Sequence, residues 1–104
     1  MEQAWDNVNE MINYSEGGIM SKVIRQDTAG DVTLFCMSKD TEISEHTSTK
    51  AGHVYVIEGD GIFNLEGKEI PMKPGTLIFM NANDKHSLSA KENTSFILIL
   101  KKIE

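Results

Sequence analysis

Short apolar runs separated by turn-forming residues fill most of the chain, and this pattern constrains the fold more than any other feature of the sequence. From residue 19 onward the separators include Asp60-Gly61, Glu66-Gly67, Pro74-Gly75 and Asn83-Asp84. These pairs favour tight turns, because Gly and Asn tolerate positive φ angles and Pro restricts its own φ. Short strands spaced roughly ten residues apart are typical of an antiparallel sandwich or barrel. The sequence therefore predicts an all-β protein.

Nine strands follow from this pattern, and a short helix is predicted ahead of them. The helix is indicated by apolar residues at helical spacing from Ala4 to Ile12, and Gly17-Gly18 ends it. The predicted strands are Ile19–Gln26, Val32–Ser38, Glu42–His46, His53–Glu58, Ile62–Leu65, Lys68–Met72, Leu77–Met80, His86–Ala90 and Thr94–Lys101.

Length and composition limit both the architecture and the partners. A chain of 104 residues fits one domain, residues 1–104, with the helix and lead-in at 1–18 and the strands at 19–104. A net charge of −6, with Arg25 as the single arginine, argues against a nucleic-acid surface. The lone Cys36 cannot form an internal disulfide, and no apolar run is long enough for a membrane helix. We therefore expect a soluble, cytoplasmic protein that binds neither nucleic acid nor membrane.

Two predicted strands are apolar on both faces. In Val32–Ser38 the apolar Leu34 is followed by the apolar Phe35, and Thr94–Lys101 shows the same pattern. A strand with one face in water alternates apolar and polar residues, so these two strands predict a second covering layer. A second copy of the chain would supply that layer, and we expect a homodimer. The predicted N-terminal helix is the alternative cover.

His46 and His86 belong to a wider spacing pattern. The motif G-x5-H-x-H-x3-E-x6-G falls without gaps on Asp40, His46, Ser48, Gly52 and Gly59. The motif G-x5-P-x-G-x2-H-x3-N falls on Gly75, Asn81, Asn83, His86 and Ala90, with fifteen residues between Gly59 and Gly75. In these spacings the chain resembles the cupin superfamily, and its small single-domain, RmlC-like type-2 members, although six of the ten motif positions are changed. The resemblance implies a double-stranded β-helix, an antiparallel jelly-roll barrel.

The resemblance also implies a divalent metal inside the barrel, held by His46 and His86. Zinc, iron, nickel and manganese are the candidates. The other two motif ligands are replaced by Ser48, a weak neutral ligand, and by Gly52, which has no side chain. Two imidazoles hold a metal less tightly than three or four protein ligands, so we expect partial occupancy. The weaker candidate ligands are Ser48 and His53, and no nucleotide cofactor is expected.

The orientation of His53 is open at this point. Because side chains alternate along a strand, Val54 is expected to face the barrel lumen and His53 the outside. A bulge at Ala51-Gly52 would instead turn His53 inward. The predicted lining of the lumen pocket is Val54, Val56 and Phe79.

Three functions remain open from the sequence. The first is a binding module, its specific role unassigned, that holds a weakly bound metal, a small organic ligand, or both. The second is a metal-dependent enzyme of the dioxygenase or isomerase type, since open coordination positions at a metal can bind substrate or dioxygen. The third is a structural or regulatory dimer with a vestigial site. Catalytic residues cannot be assigned, because the sequence contains no recognisable nucleophile–base motif or phosphate-binding loop.

Overall fold

The computed structural model describes residues 4–101, and it contains one 3-10 turn followed by nine strands. The turn is Val8–Glu10, and the strands are β1 (Ile19–Asp27), β2 (Gly30–Met37), β3 (Glu42–His46), β4 (Gly52–Glu58), β5 (Gly61–Leu65), β6 (Lys68–Met72), β7 (Leu77–Met80), β8 (His86–Ala90) and β9 (Thr94–Lys101). Every predicted strand is present, so the all-β prediction is confirmed.

Two antiparallel sheets form the barrel. The five-stranded sheet has the order β1-β2-β9-β4-β7, and the four-stranded sheet has the order β3-β8-β5-β6. Apolar side chains from both sheets meet between them, and Phe35 of β2 stacks on Phe96 of β9 with ring centroids 5.0 Å apart. The buried core residues are Met37, Val54, Val56, Phe63, Met72, Ile78, Met80, Leu88, Ala90 and Phe96. This is the predicted jelly-roll barrel.

The predicted N-terminal helix is reduced to the single 3-10 turn Val8–Glu10. Residues 1–3 of the predicted segment lie outside the described residues. The side chain of Asn7 accepts a hydrogen bond from the backbone N–H of Asn9 at 3.0 Å. This bond makes Asn7 the N-cap of the turn, so helical structure begins only at Val8 and residues 4–7 lie ahead of it. Among residues 4–101 no helix is long and apolar enough to span a membrane.

Residues 4–18, called here the N-terminal strap, run along the outer face of the five-stranded sheet. The Tyr14 hydroxyl donates a hydrogen bond to the Glu58 carboxylate at 2.6 Å, and the Ser38 N–H donates to the Gly18 carbonyl at 3.1 Å. The strap therefore joins the ends of β4 and β2.

The strap covers only part of this outer face. Leu34 and Cys36 point away from the core, yet neither side chain is exposed. Burial also raises the pKa of the Cys36 thiol. Further along the same face, four large apolar side chains stay exposed: Tyr55, Leu77, Phe79 and Ile99. The sequence predicted a covering layer over the strands that are apolar on both faces. The strap supplies part of this layer and leaves the rest of the outer face uncovered.

Positive φ angles occur at all four positions where the cupin motifs place glycine. Gly59 and Gly75 have φ angles of 119° and 92°, and the substituted positions Asp40 and Asn83 have φ angles of 66° and 69°. Asp and Asn enter this region more readily than other residues with a side chain. The turns that close the barrel are therefore preserved although two of the glycines are not.

Candidate functional site

A shift in the β3–β8 ladder places His46 next to His86. The register changes by one residue between Ile43 and His46, and His46 then pairs with His86. In an unbroken ladder Glu45 would stand opposite His86, and His46 would face the other side of the sheet. The bulge therefore gives both histidines the same orientation, toward the interior of the barrel.

The two imidazole rings are in contact, and each ring bonds to a backbone carbonyl through its Nδ1 atom. Their centroids lie 4.1 Å apart, with an angle of 62° between the ring planes. Nδ1 of His46 lies 2.7 Å from the carbonyl of Ser44, and Nδ1 of His86 lies 3.0 Å from the carbonyl of Asp84. Because a carbonyl oxygen only accepts, each Nδ1 carries a hydrogen, and Nε2 is the nitrogen of each ring that is left for a metal ion. Metal-binding histidines commonly have this arrangement.

The environment of His86 favours the neutral ring. Burial lowers its pKa below the ordinary 6.5; the hydrogen bond to Asp84 acts in the opposite direction, and the neighbouring His46 lowers the pKa further. Phe63 stacks against the ring, with centroids 5.8 Å apart and planes within 3° of parallel. A neutral imidazole is the form that binds a metal ion.

The histidine pair lies at one side of a small cavity in the barrel lumen. Its volume is about 90 Å³, and apart from the two histidines its walls are apolar. The apolar lining residues are Phe35, Ile43, Val54, Phe63, Met80, Leu88, Phe96 and Leu98. The alternation of side chains along the predicted strand identified Val54 as a lining residue. Ile43, Leu88 and Leu98 line the cavity because β3, β8 and β9 come together in the tertiary fold, which the sequence pattern does not show.

The other two metal-ligand positions of the motif, Ser48 and Gly52, add no ligand to the histidine pair. A Cβ atom on Gly52 would lie 2.6 Å from the carbonyl oxygen of Ile99 and 2.8 Å from a side-chain carbon of Leu100, so the packing leaves no room for a glutamate there. The Ser48 hydroxyl accepts a hydrogen bond from the Lys50 N–H at 3.1 Å and is not part of the cavity wall.

His53 and Phe79 lie on the opposite face of the five-stranded sheet. The β4–β9 ladder shows no shift from Gly52 to Val56, so the alternative bulge at Ala51-Gly52 is absent. His53 packs edge-on against Phe79, with centroids 5.2 Å apart. Phe79 is 65% exposed, and its predicted place in the pocket lining is corrected, because its strand presents Ile78 and Met80 to the interior instead. Val56 is fully buried in the core beyond the cavity wall.

A polar depression outside the barrel also reaches His86. It has a volume of about 310 Å³ and is lined by Glu45, Asn64, Glu66, Gly67, Lys85, His86 and Ser87. His86 therefore lines both the apolar cavity of the lumen and this charged surface depression.

Among residues 4–101, the two imidazoles are the side chains that line this cavity and can hold a metal ion through nitrogen or oxygen. Within the described part of the chain, no group of three or more His, Cys, Asp or Glu side chains is arranged to hold a metal ion. The donor set fits a cation bound by His46 and His86, with water or a bound molecule completing its coordination.

A jelly-roll barrel with a histidine pair at its lumen defines the class of this protein. The chain belongs to the cupin-domain family, whose family model matches residues 33–100. It is 33% identical to an L-ectoine synthase from Aliivibrio fischeri over 97 residues, covering 92% of this chain and 67% of that protein. It is 35% identical to an oxalate-binding protein from Thermotoga maritima over 40 residues, covering 38% of this chain and 33% of that protein.

Solved structures with the same fold are numerous. A conserved protein of unknown function from Streptococcus pyogenes matches with a TM-score of 0.88 and 23% identity, over 100% of this chain and 92% of that chain. A cupin superfamily protein from Desulfitobacterium hafniense matches with a TM-score of 0.88 and 15% identity, over 99% and 95% of the two chains. At these identities the likeness concerns the fold alone.

Proposed function

We propose that this cupin binds a small organic ligand in its lumen, with a divalent cation held by His46 and His86 as the anchor. One observation carries the proposal: two contacting imidazoles, each with Nδ1 bonded to a backbone carbonyl, border an apolar cavity. The lowered pKa of His86 supports it, because the ring does not need to lose a proton at neutral pH before it binds a cation.

The cavity limits the ligand to a small molecule. Sites for drug-sized ligands measure roughly 300–1,000 Å³, whereas this one measures about 90 Å³. Its apolar walls suit a short carbon skeleton, and the histidine pair is the one polar side of the cavity. When bound, the cation would serve as a Lewis acid for an oxygen atom of the ligand. Carboxylates and carbonyl compounds of a few non-hydrogen atoms are therefore the ligand class.

The test is a metal titration of chelator-treated protein. Isothermal titration calorimetry with Zn²⁺ and with Ni²⁺ is expected to give one saturable site in the wild type. His46→Ala and His86→Ala each remove half of the protein ligands, so the affinity is expected to fall at least tenfold. His53→Ala is the matched control, because that histidine lies on the other face of the sheet, and its affinity should equal the wild-type value.

Two results would contradict the proposal. One is the absence of saturable binding by the wild type, and the other is an equal loss from His53→Ala and His86→Ala. Elemental analysis of untagged protein purified without chelator is expected to find zinc, iron, nickel or manganese below one equivalent. The expected partial occupancy reflects a site with two protein ligands.

A metal-dependent enzyme is the second candidate, and the likeness to L-ectoine synthase over 92% of this chain favours it. The two histidines leave several coordination positions of a cation open to a substrate. The metal-loaded wild type would then consume a small carbonyl or carboxylate compound, or dioxygen, and His86→Ala would not. If small acids bind but are not converted, the binding function stands alone. We propose a cytoplasmic setting, in keeping with the single Cys36 of the chain.

A further inference from the structure

We propose that Met80 is a third ligand beside the histidine pair, and that the cation held most tightly in the lumen is monovalent copper. The ligands are then two imidazole nitrogens and one thioether sulfur, all of them uncharged. The inference rests on the proposed function, because it takes His46 and His86 as the other two ligands. It adds to that function a further ligand and the identity of the cation that this ligand selects.

Met80 borders the same cavity as the two histidines. It is the last residue of β7, and it lines the cavity together with His46 and His86. Its side chain is 6% exposed, because the alternation of β7 turns it to the interior. Its cross-strand partner on β4 is Gly52, which has no side chain. No side chain of β4 therefore stands directly beside Met80 on the interior face, and its thioether is left facing the lumen.

A hydrogen-bonded turn joins Met80 to His86. The Asn81 N–H donates to the Asp84 carboxylate at 2.9 Å, and the Asp84 N–H donates to the Asn81 carbonyl at 3.2 Å. The carbonyl of Asp84 also accepts the hydrogen bond from Nδ1 of His86. The backbone between the two residues is therefore fixed at both of its ends.

The same turn is attached to the segment that carries His46. The N–H of Asn83, in the middle of the turn, donates to the carbonyl of Ser48 at 2.7 Å, and Ser48 is close to His46 in the chain. The residues that carry the three proposed ligands thus belong to one hydrogen-bonded unit. Ligands that the backbone holds in place lose little conformational freedom when a cation binds, which favours binding.

The donor types and their number favour Cu(I). A thioether is a soft ligand of the kind that selects Cu(I), and imidazole also suits copper. Cu(I) accepts a shell of three ligands, whereas protein-bound Zn²⁺ is almost always four-coordinate. His46, His86 and Met80 therefore complete the shell of Cu(I) and leave that of Zn²⁺ unfinished.

The charge of the cavity favours a monovalent cation as well. Within residues 4–101, none of the side chains that line it is acidic, and apart from the histidines its walls are apolar. The cost of moving an ion from water into such surroundings rises with the square of its charge. A divalent cation therefore needs an anionic ligand beside it in this lumen. A monovalent cation carries half of that charge and is buried at a lower cost.

A Cu(I) titration tests the inference. It is carried out without oxygen, with bathocuproine disulfonate as the competing chelator, and the wild type is expected to bind one Cu(I) per chain tightly. Met80→Leu preserves the size of the side chain and removes the sulfur. This variant is expected to raise the Cu(I) dissociation constant at least about tenfold and to leave that of Zn²⁺ within about threefold of the wild type.

Met72→Leu is the matched control. Met72 is a fully buried core methionine like Met80, but it does not line the cavity. Its substitution removes a sulfur atom from the same core, so it measures the effect of repacking alone. The Cu(I) dissociation constant of Met72→Leu should equal the wild-type value, and His86→Ala should lose tight Cu(I) binding.

X-ray absorption at the copper edge identifies the ligands directly. The Cu(I)-loaded wild type is expected to show nitrogen neighbours and one sulfur neighbour at bonding distance. The sulfur neighbour should be missing in Met80→Leu and present in Met72→Leu. If Met80 served only to fill the core, copper would have no sulfur neighbour in any of the three proteins.

Each remaining outcome has a distinct meaning. Equal Cu(I) affinities of Met80→Leu and Met72→Leu, or a wild-type spectrum without sulfur, would overturn the inference. A wild type that binds Zn²⁺ at a saturable site but does not bind Cu(I) would also overturn it, and the proposed function would stand. A wild type that binds neither metal would overturn both. Circular dichroism of each variant verifies that the barrel is folded.

Discussion

His46 stands opposite His86 across β3 and β8, and Glu45 does not, because β3 has one more residue than β8 between the paired positions. Edge strands tolerate such bulges, and bulges often reorient a side chain beside a functional site. Here the bulge selects an imidazole instead of a carboxylate as the neighbour of His86. The chemistry of the lumen therefore depends on a feature of strand pairing.

The length of β3 between Ile43 and His46 is expected to control metal binding. Deletion of Glu45 makes the ladder regular and still pairs His46 with His86, so the affinity for Zn²⁺ should stay within about tenfold of the wild type. Deletion of Ser44 and Glu45 together turns His46 to the outside, and the affinity should fall as far as in His86→Ala. Calorimetry on the two variants measures this, and equal affinities would contradict the role of the register.

Substitution of Gly59 is expected to destabilise the barrel strongly. Its φ is +119°, and an added Cβ would lie 2.5 Å from Cα of Thr94 and 2.6 Å from the carbonyl oxygen of Asn93. Strain and overlap together should make Gly59→Ala cost about 2–4 kcal/mol in the free energy of unfolding. Gly67→Ala is the control, with φ of +83° and nothing within 4 Å, and should cost about 1 kcal/mol. Urea unfolding compares them, and similar losses would show that crowding at Gly59 is unimportant.

The Tyr14–Glu58 hydrogen bond is expected to stabilise the strap at neutral pH. Tyr14→Phe should lower the free energy of unfolding by about 1 kcal/mol, because it removes a hydrogen bond to the exposed carboxylate of Glu58. The contribution should also depend on pH. Burial and Glu58 raise the pKa of Tyr14 above the ordinary value of 10.0. The stabilisation is therefore fully present below pH 10 and is lost as the pH rises beyond that value, where the unfolded chain releases the phenolic proton.

Urea unfolding at several pH values from about 8 to 11 measures this effect. The difference in stability between wild type and Tyr14→Phe should shrink above pH 10. Tyr55 is common to both proteins and cancels in the comparison. A difference that stays constant through this range would contradict the raised pKa.

The strap is also expected to protect the Cys36 thiol. Cys36 is not exposed, and burial raises the pKa of its thiol. The backbone of Asn13, in the strap, forms a hydrogen bond with the Cys36 side chain. Alkylation by iodoacetamide should therefore be slow in the native wild type and several-fold faster in Tyr14→Phe, where the strap opens more often. Mass spectrometry follows the reaction. Equal rates in the two proteins would show that opening of the barrel, and not of the strap, exposes the thiol.

Local signals explain why all nine strands could be predicted. Turn pairs such as Glu66-Gly67 specify their own backbone: their φ angles of 50° and 83° are those of the two-residue turn that joins β5 to β6. The N-terminal helix predicted from apolar spacing is present only as the 3-10 turn Val8–Glu10, because spacing alone does not show that Asn7 caps the segment and delays its start. Similarly, apolar character alone suggested Phe79 for the lumen, but strand alternation places it on the outside.

By itself, the sequence determined the strands, the turns and the two histidines of the candidate site. These follow from properties of neighbouring residues: apolar runs, positive φ angles and motif spacing. Only the tertiary structure decided that His46 reaches His86, that His53 lies outside and that a strap covers Cys36. The positions of the histidines depend on the register between strands that are distant in the chain, and a shift of one residue reverses the face on which a side chain lies. The cover over Cys36 depends on the hydrogen bonds of the strap to residues far along the chain.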